Sequence, residues 1–464
     1  MDNSIYQSPF SWRYGSAAMR EIWSVKSTRL LWRKIWVALA EVQAGYGLVT
    51  DQQAAEIKKQ ADRVDLERSL KLETQVQHDL MAELKVFAEQ CSGAGGVLHL
   101  GATSMDIKDN ALVLQQRSAL ALLLEQIREL LVLFTEHILN WADTSLMGFT
   151  HLQPAEPTTL GYRLAQPAQD LLSCYQDLKR VESEIKSKGF TGAVGTSASF
   201  ATLIGTENLA DFQEQMSQKL NLNFFTAVTQ TYPRLQDYQL LSYLAGLGAV
   251  LYKLAFDLRV LQSPGFGELA EPFGQNQIGS SAMPFKQNPI KAEKLNSLGR
   301  YLAQLPRIAW DNAAHSLLER TLDDSANSRI ILPEAFLCLD EMVITMREIF
   351  SDLQVYEDAI EKNMADYGPF AATEKVLMLL SKAGGDRQKN HARLRDHAIK
   401  AWDAVRQGKL NPLIDLVVND PLFQEYLTEA ELTQAMQGSG YLGDAPDRAK
   451  KLVQEIQDAI KAEI

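Results

Sequence analysis

Between residues 120 and 138 apolar side chains return every three or four positions. They are Leu120, Leu123, Leu124, Ile127, Leu131, Phe134 and Ile138, with Glu125, Arg128, Glu129 and Glu136 between them. That spacing lays one apolar stripe along a helix. Residues 159–186, 238–261, 289–305 and 331–353 repeat it, and no stretch sustains the alternation of a half-buried strand, so the fold class is predicted to be all-α. In the second of these segments Leu240, Leu241, Tyr243, Leu244, Leu247, Val250, Leu251 and Leu254 leave little surface for water. A helix apolar nearly all round is buried on all sides. Packing against further copies of the chain is favoured over an internal helix of a monomer.

The exception to helix is 262–288, which holds Gly265, Gly267, Gly274 and Gly279 together with Pro264, Pro272 and Pro284. Loops this long inside compact proteins are uncommon and often functional, and a mobile lid is predicted here. Breaks in pattern divide the chain into three expected domains. An N-terminal helical domain covers 1–105, a central long-helix bundle with the loop 262–289 covers 106–355, and a C-terminal helical domain covers 356–464.

Composition narrows the function classes. A chain of 464 residues can bury more than one core. A formal charge of −12 argues against general binding to nucleic acid or anionic membrane, so an anionic substrate would need a local cluster of Arg, Lys and His. Cys91, Cys174 and Cys338 are far apart and give neither a disulfide framework nor a zinc pattern, so a reducing, cytoplasmic setting is expected. The first residues lack a secretory-signal pattern. The longest uncharged apolar run, 240–252, falls short of the ~20 residues that span a bilayer.

The stretch Gly279-Ser280-Ser281-Ala282-Met283-Pro284-Phe285-Lys286-Gln287-Asn288-Pro289 carries the most chemistry. Two hydroxyls follow a glycine, an ammonium comes next, and Asn-Pro opens an apolar helical run as N-cap and first position. The positive end of that helix, beside Lys286, is expected to face an anion. The plain alternative is a flexible surface loop. Four further segments join titratable or hydroxyl groups to loop punctuation: His78-Asp79, His99 to Ser104, Thr150 to Pro154, and Arg320 to Arg329, where Ser325 and Arg329 lie one helical turn apart. Each has a structural alternative, since a lone histidine is usually a polar core or surface residue and a charge run usually a solvated face. No His-Glu-x-x-His, Cys-x-x-Cys or nucleotide-binding glycine loop is present, so no metal or cofactor is expected.

Together these segments resemble the adenylosuccinate lyase branch of the fumarase/aspartase superfamily. The 279–289 loop matches the superfamily's GSS-x-MP-x-K-x-NP pattern. The branch is suggested by Ser8-Pro through Arg13-Tyr14, His78-Asp79, Thr103-Ser104 leading to Asp109-Asn110, Thr150-His151-Leu-Gln153-Pro154, Gln230-Thr231-Tyr232 and Arg320 through Asn327. Gln77, Glu156 and Lys294 stand where the branch often has Arg, Gln and Arg. The resemblance implies a three-domain all-α fold and a homotetramer around a helical core, with each active site built from three subunits. It further implies elimination of fumarate from a succinylated purine nucleotide without a cofactor. By the same resemblance Ser280 is the base, although residues alone do not separate it from Ser281. His151 is the acid, and His78, Lys286 and Glu293 assist. Arg13, Tyr14, Arg320, Ser325 and Arg329 would hold a phosphate. Thr103, Ser104, Thr150, Lys286 and Asn288 would hold carboxylates, with Asp79, Gln230, Ser281, Met283 and Lys294 as further substrate contacts. Argininosuccinate lyase, a carboxymuconate cycloisomerase and a non-catalytic scaffold of the same fold are the rival readings.

Overall fold

The computed structural model describes residues 4–437 and 440–461. Long helices dominate it: Val25–Gly45, Ser104–Asn140, Leu160–Glu184, Leu235–Leu261, Asp323–Ser351 and Glu357–Lys382. Each periodic stretch coincides with a helix over most of its length, although the 289–305 stretch breaks at Ala303-Gln304 and Thr159 and Lys186 fall in strands. Leu120, Leu123, Ile127, Leu131, Phe134 and Ile138 form a buried seam. The helix read from residue 331 begins earlier, at Asp323. Its first turn is acidic, which suits the positive helix end, and an apolar count does not register that.

One expectation is corrected. Ser145–Thr150 pairs antiparallel with Gln153–Thr159, so the chain contains a hairpin that alternation did not reveal. Pro154 and Pro157 interrupt the second strand, and the register shifts between Met147 and Phe149. A side chain at the intervening Gly148 would sit 2.5 Å from the Glu156 carbonyl oxygen. Proline and glycine are tolerated at such edges and irregularities, and they erase the period-two signature. The remaining strands are two-residue pairings, and the fold is all-α in substance.

Packing divides the chain into two compact units, each drawn from three stretches. Unit one comprises 1–127, 174–251 and 297–344, and unit two comprises 128–173, 252–296 and 345–464. Unit one is cored by aromatic clusters such as Phe190, Phe200 and Phe212. In unit two Phe134 stacks on Phe350 at 4.3 Å. A second cluster there gathers Val376, Leu380, Leu394, Val417, Phe423 and Leu432. None of the three cysteines forms a disulfide. Among the described residues no helix is long and apolar enough to cross a membrane.

Unit one also buries a full ion pair, Asp106 with Lys188. The Lys188 ammonium donates further to Thr191 Oγ1 at 3.0 Å and the Gly192 carbonyl at 3.1 Å. Asp106 accepts the backbone N–H groups of Thr103, Thr191 and Gly192. This pair therefore fixes the start of the Ser104–Asn140 helix to the 188–192 loop. Lys188→Met should leave Asp106 as an uncompensated buried charge and cost about 3–5 kcal/mol of stability. Thermal unfolding tests this, and a melting temperature equal to that of the parent chain would refute the assignment.

Candidate active site

In unit one the Leu66–Val76 helix ends at Gln77, whose φ of 55° turns the chain sharply. Non-glycine residues enter that left-handed region rarely. His78 follows as N-cap of the Asp79–Gln90 helix, its Nδ1 accepting the Met81 N–H at 3.4 Å. An accepting Nδ1 leaves the proton of the neutral ring on Nε2, which faces Ser104 Oγ at 3.3 Å. Asp79 accepts from Lys108 with both oxygens, at 3.0 and 2.8 Å, and from Arg329 at 2.9 Å. Burial alone would push the Asp79 carboxyl up. Lys108, the Leu80 N–H and Arg329 outweigh it and hold the group below the usual carboxylate range.

Beside this cluster lies a cavity of about 400 Å³, with Asp79, Lys108, Arg320, Ser325 and Arg329 in its lining and Trp23, Trp32 and Leu332 as apolar wall. Arg320 is oriented by Asp324, Nη1 to Oδ1 at 2.8 Å. Asp324 in turn accepts from Arg234, which also donates to Asp109. The Gln230 N–H donates to the Glu319 carbonyl at 3.1 Å, tying that predicted contact to the Arg320 segment. Arg13 and Tyr14 lie outside the lining. Arg13 sits over the Trp12 and Tyr14 rings instead. His99 is half-buried and tied to the core, since its Nδ1 accepts from the buried Trp36 Nε1 at 3.1 Å and burial pushes its pKa down.

In unit two the hairpin turn is His151-Leu152, between the paired residues Thr150 and Gln153. Both turn residues have positive φ, 55° and 58°. Two-residue turns of this kind favour Asn-Gly, so a histidine and a leucine there are held at a conformational cost. Thr150, His151 and Leu152 are exposed at the tip. At the strand beyond, Glu156 meets Glu374. Their hydrogen bond, with burial and the neighbour's charge, pushes the Glu156 carboxyl up. A glutamine at this position would donate without needing to hold a proton.

The 279–288 segment folds on itself. A side chain at Gly279 would lie 2.0 Å from the Lys286 carbonyl oxygen, and Asn288 Nδ2 donates to the Gly279 carbonyl at 2.8 Å. Ser280 Oγ accepts the N–H groups of Ala282 and Met283 at 3.3 and 3.1 Å. Ser281, Met283 and Lys286 are exposed. The following helix, Ile290–Leu302, carries Glu293, 3.7 Å from Arg259, and the partly buried Lys294. Its N-terminus differs from expectation. Glu271 accepts the N–H groups of Lys291 and Ala292 at 3.0 and 2.8 Å, so an internal carboxylate fills the anion position predicted for a substrate. Burial pushes the Glu271 carboxyl up despite those donors.

The predicted residues thus fall into two groups, each within its own unit. His78, Asp79, Thr103, Ser104, Gln230, Arg320, Ser325 and Arg329 belong to unit one, with Arg13 and Tyr14. Thr150, His151, Ser280, Ser281, Met283, Lys286, Asn288, Glu293 and Lys294 belong to unit two. No hydrogen bond among the described residues joins the His151 turn to the 279–288 loop. Asp324 was read only as part of the Arg320–Asn327 motif, with no role of its own, and sequence reasoning did not single out Lys108, Arg234 or Glu271. Only Lys108 left a trace, one helical turn beyond Ser104 on the same face.

The sequence model of a family described as "Lyase" matches residues 14–301, and one described as "Adenylosuccinate lyase C-terminus" matches residues 369–452. An adenylosuccinate lyase of Schistosoma mansoni is 37% identical over 425 residues, covering 90% of this chain and 88% of its own. That of Saccharomyces cerevisiae is 35% identical, covering 98% of this chain and 95% of its own. Among solved structures, the 3-carboxy-cis,cis-muconate lactonizing enzyme of Pseudomonas putida superposes with a TM-score of 0.86 at 25% identity, covering 98% of this chain and all of that one. Likeness of this extent, with the motifs in place, shows that the chain is a lyase and belongs to the adenylosuccinate lyase family.

Proposed function

We propose that the chain eliminates fumarate from adenylosuccinate, leaving AMP, and does the same to the analogous succinyl-carboxamide ribonucleotide of purine synthesis, SAICAR, leaving AICAR. One observation carries the reading. Relatives named adenylosuccinate lyase align over nearly the whole chain, and unit one presents Arg320, Ser325 and Arg329 around a cavity, the donor types a phosphate requires. Argininosuccinate and carboxymuconate carry no phosphate and leave those donors without a role.

In the reaction Ser280 Oγ, as alkoxide, takes the proton from the carbon beside a succinyl carboxylate. The freed electron pair forms the carbon–carbon double bond of fumarate, the carbon–nitrogen bond breaks, and His151 gives its proton to the departing nitrogen. Two features of the 279–288 loop support Ser280 over its exposed neighbour. Its oxygen already receives two backbone N–H groups, which lower the cost of an alkoxide, and Lys286 follows in the same closed loop. With the helix end held by Glu271, stabilisation of the developing carboxylate charge falls to Lys286 and the loop's own donors. Closure of this loop over the substrate would exclude water and strengthen these interactions.

Arg320, Ser325 and Arg329 hold the phosphate in this scheme, with Arg13 and Tyr14 meeting it from outside the cavity lining, and Thr103, Ser104, Thr150 and Lys286 hold the carboxylates. Asn288 shapes the loop through Gly279, and Glu293 supports the acid. His78, with its proton on the nitrogen facing Ser104, orients the carboxylate end. The enzyme works as a cytoplasmic homotetramer in which three copies contribute to each site. Exposed apolar residues on otherwise packed helices, Phe256 and Trp310 among them, are consistent with further copies covering them.

Purified protein given adenylosuccinate should release fumarate and AMP in equal amounts, and absence of both would reject the proposal. His151→Ala and Ser280→Ala should each lower kcat by about 10²–10⁴-fold while the assembly stays intact by light scattering. Near-parental turnover in either variant would remove that residue from the chemistry.

A further inference from the structure

Arg234 is buried, and its guanidinium serves several elements at once. Nε donates to Asp324 Oδ2 at 3.0 Å and Nη2 to Asp109 Oδ1 at 3.1 Å. Asp109 also accepts the Tyr232 N–H at 2.9 Å, two residues from Gln230. The second oxygen of Asp324 accepts from Arg320 Nη1 at 2.8 Å. One carboxylate therefore joins a buried guanidinium to a cavity-lining one, and the residue next to it in the chain is Ser325. The Nε–Nη2 edge of Arg320 carries no hydrogen bond among the described residues, which leaves a two-donor edge of the kind that pairs with phosphate oxygens.

Such a cluster is a poor way to gain stability. Charges removed from water are costly, and apolar side chains of similar volume often serve folding as well or better. What the cluster supplies is geometry. A planar guanidinium gripped by two carboxylates fixes Asp324, and Asp324 fixes the plane of Arg320. We infer that Arg234 and Asp324 are positioning residues for the nucleotide-phosphate end of the site, acting through Arg320 and Ser325. The inference rests on the proposed assignment of those two residues to phosphate binding.

Asp324→Asn offers one acceptor oxygen where two guanidiniums each need one. Arg234→Lys keeps the charge but loses the fork. In the assembled enzyme, product inhibition by AMP and by fumarate separates the two ends of the site. Each variant should raise the inhibition constant of AMP about tenfold, as expected for loss of one charge-assisted hydrogen bond. The fumarate constant should stay unchanged, and KM should move more than kcat. An unchanged AMP constant would overturn the inference. So would a parallel rise of both constants, or failure of both variants to assemble, because each outcome assigns the network to general structure. A parent protein that neither cleaves adenylosuccinate nor is inhibited by AMP would instead bring down the functional assignment, and this inference with it.

Discussion

Charge withdrawn from water has to be paired, and that constraint organises unit one. Three aspartates near the start of one helix or facing it each take a cationic partner: Asp79 with Lys108 and Arg329, Asp106 with Lys188, and Asp109 with Arg234. Each pair links segments far apart in sequence. The first brings the His78 turn to the helix holding Ser325 and Arg329. The second anchors Thr103 and Ser104. The third reaches the Gln230 segment and, through Asp324, Arg320. Removing one partner of such a pair costs far more than the pair contributes to stability. The network therefore resists piecemeal change and holds the polar side chains that line the cavity in fixed directions.

Unit two uses a different device. His151 and Ser280, the proposed acid and base, stand on two departures from helix, a hairpin tip and a self-closed loop. His151 and Leu152 occupy left-handed backbone at the tip, and strain of this kind persists only where the surrounding structure enforces it. The strand register beneath them supplies that enforcement. In the loop, contact between Gly279 and the Lys286 carbonyl forbids any side chain at residue 279, so the glycine that opens the motif is a packing requirement. Glu271, outside the motif, seats the next helix by satisfying its first free N–H groups.

Much of this was legible in the sequence. Apolar spacing marked the long helices, and glycine and proline marked the loop. Of the motif side chains, Ser104 meets His78, and Ser325 and Arg329 line one cavity with Arg320. What was hidden follows from physical causes. Lys108 sits in a helix, where charge ordinarily reads as a solvated face, and spacing cannot tell a solvated charge from a buried pair. The hairpin's strands contain prolines and a glycine, which break the alternation that would announce them. The capping of the Ile290–Leu302 helix comes from Glu271, twenty residues upstream of Lys291. The Asn-Pro signal at its start pointed to the helix correctly and to the wrong occupant of its end.

The account depends on His151 and Ser280 acting on one substrate although nothing described within a single chain joins the turn to the loop. The proposed sharing of sites among copies would resolve this, and subunit exchange tests it. His151→Ala and Ser280→Ala proteins, each inactive alone, are mixed, dissociated and reassembled, and adenylosuccinate cleavage is measured. If the two residues come from different copies, roughly a quarter of the sites regain both, because each site draws them independently. Mixed assemblies that form but remain inactive would contradict the account.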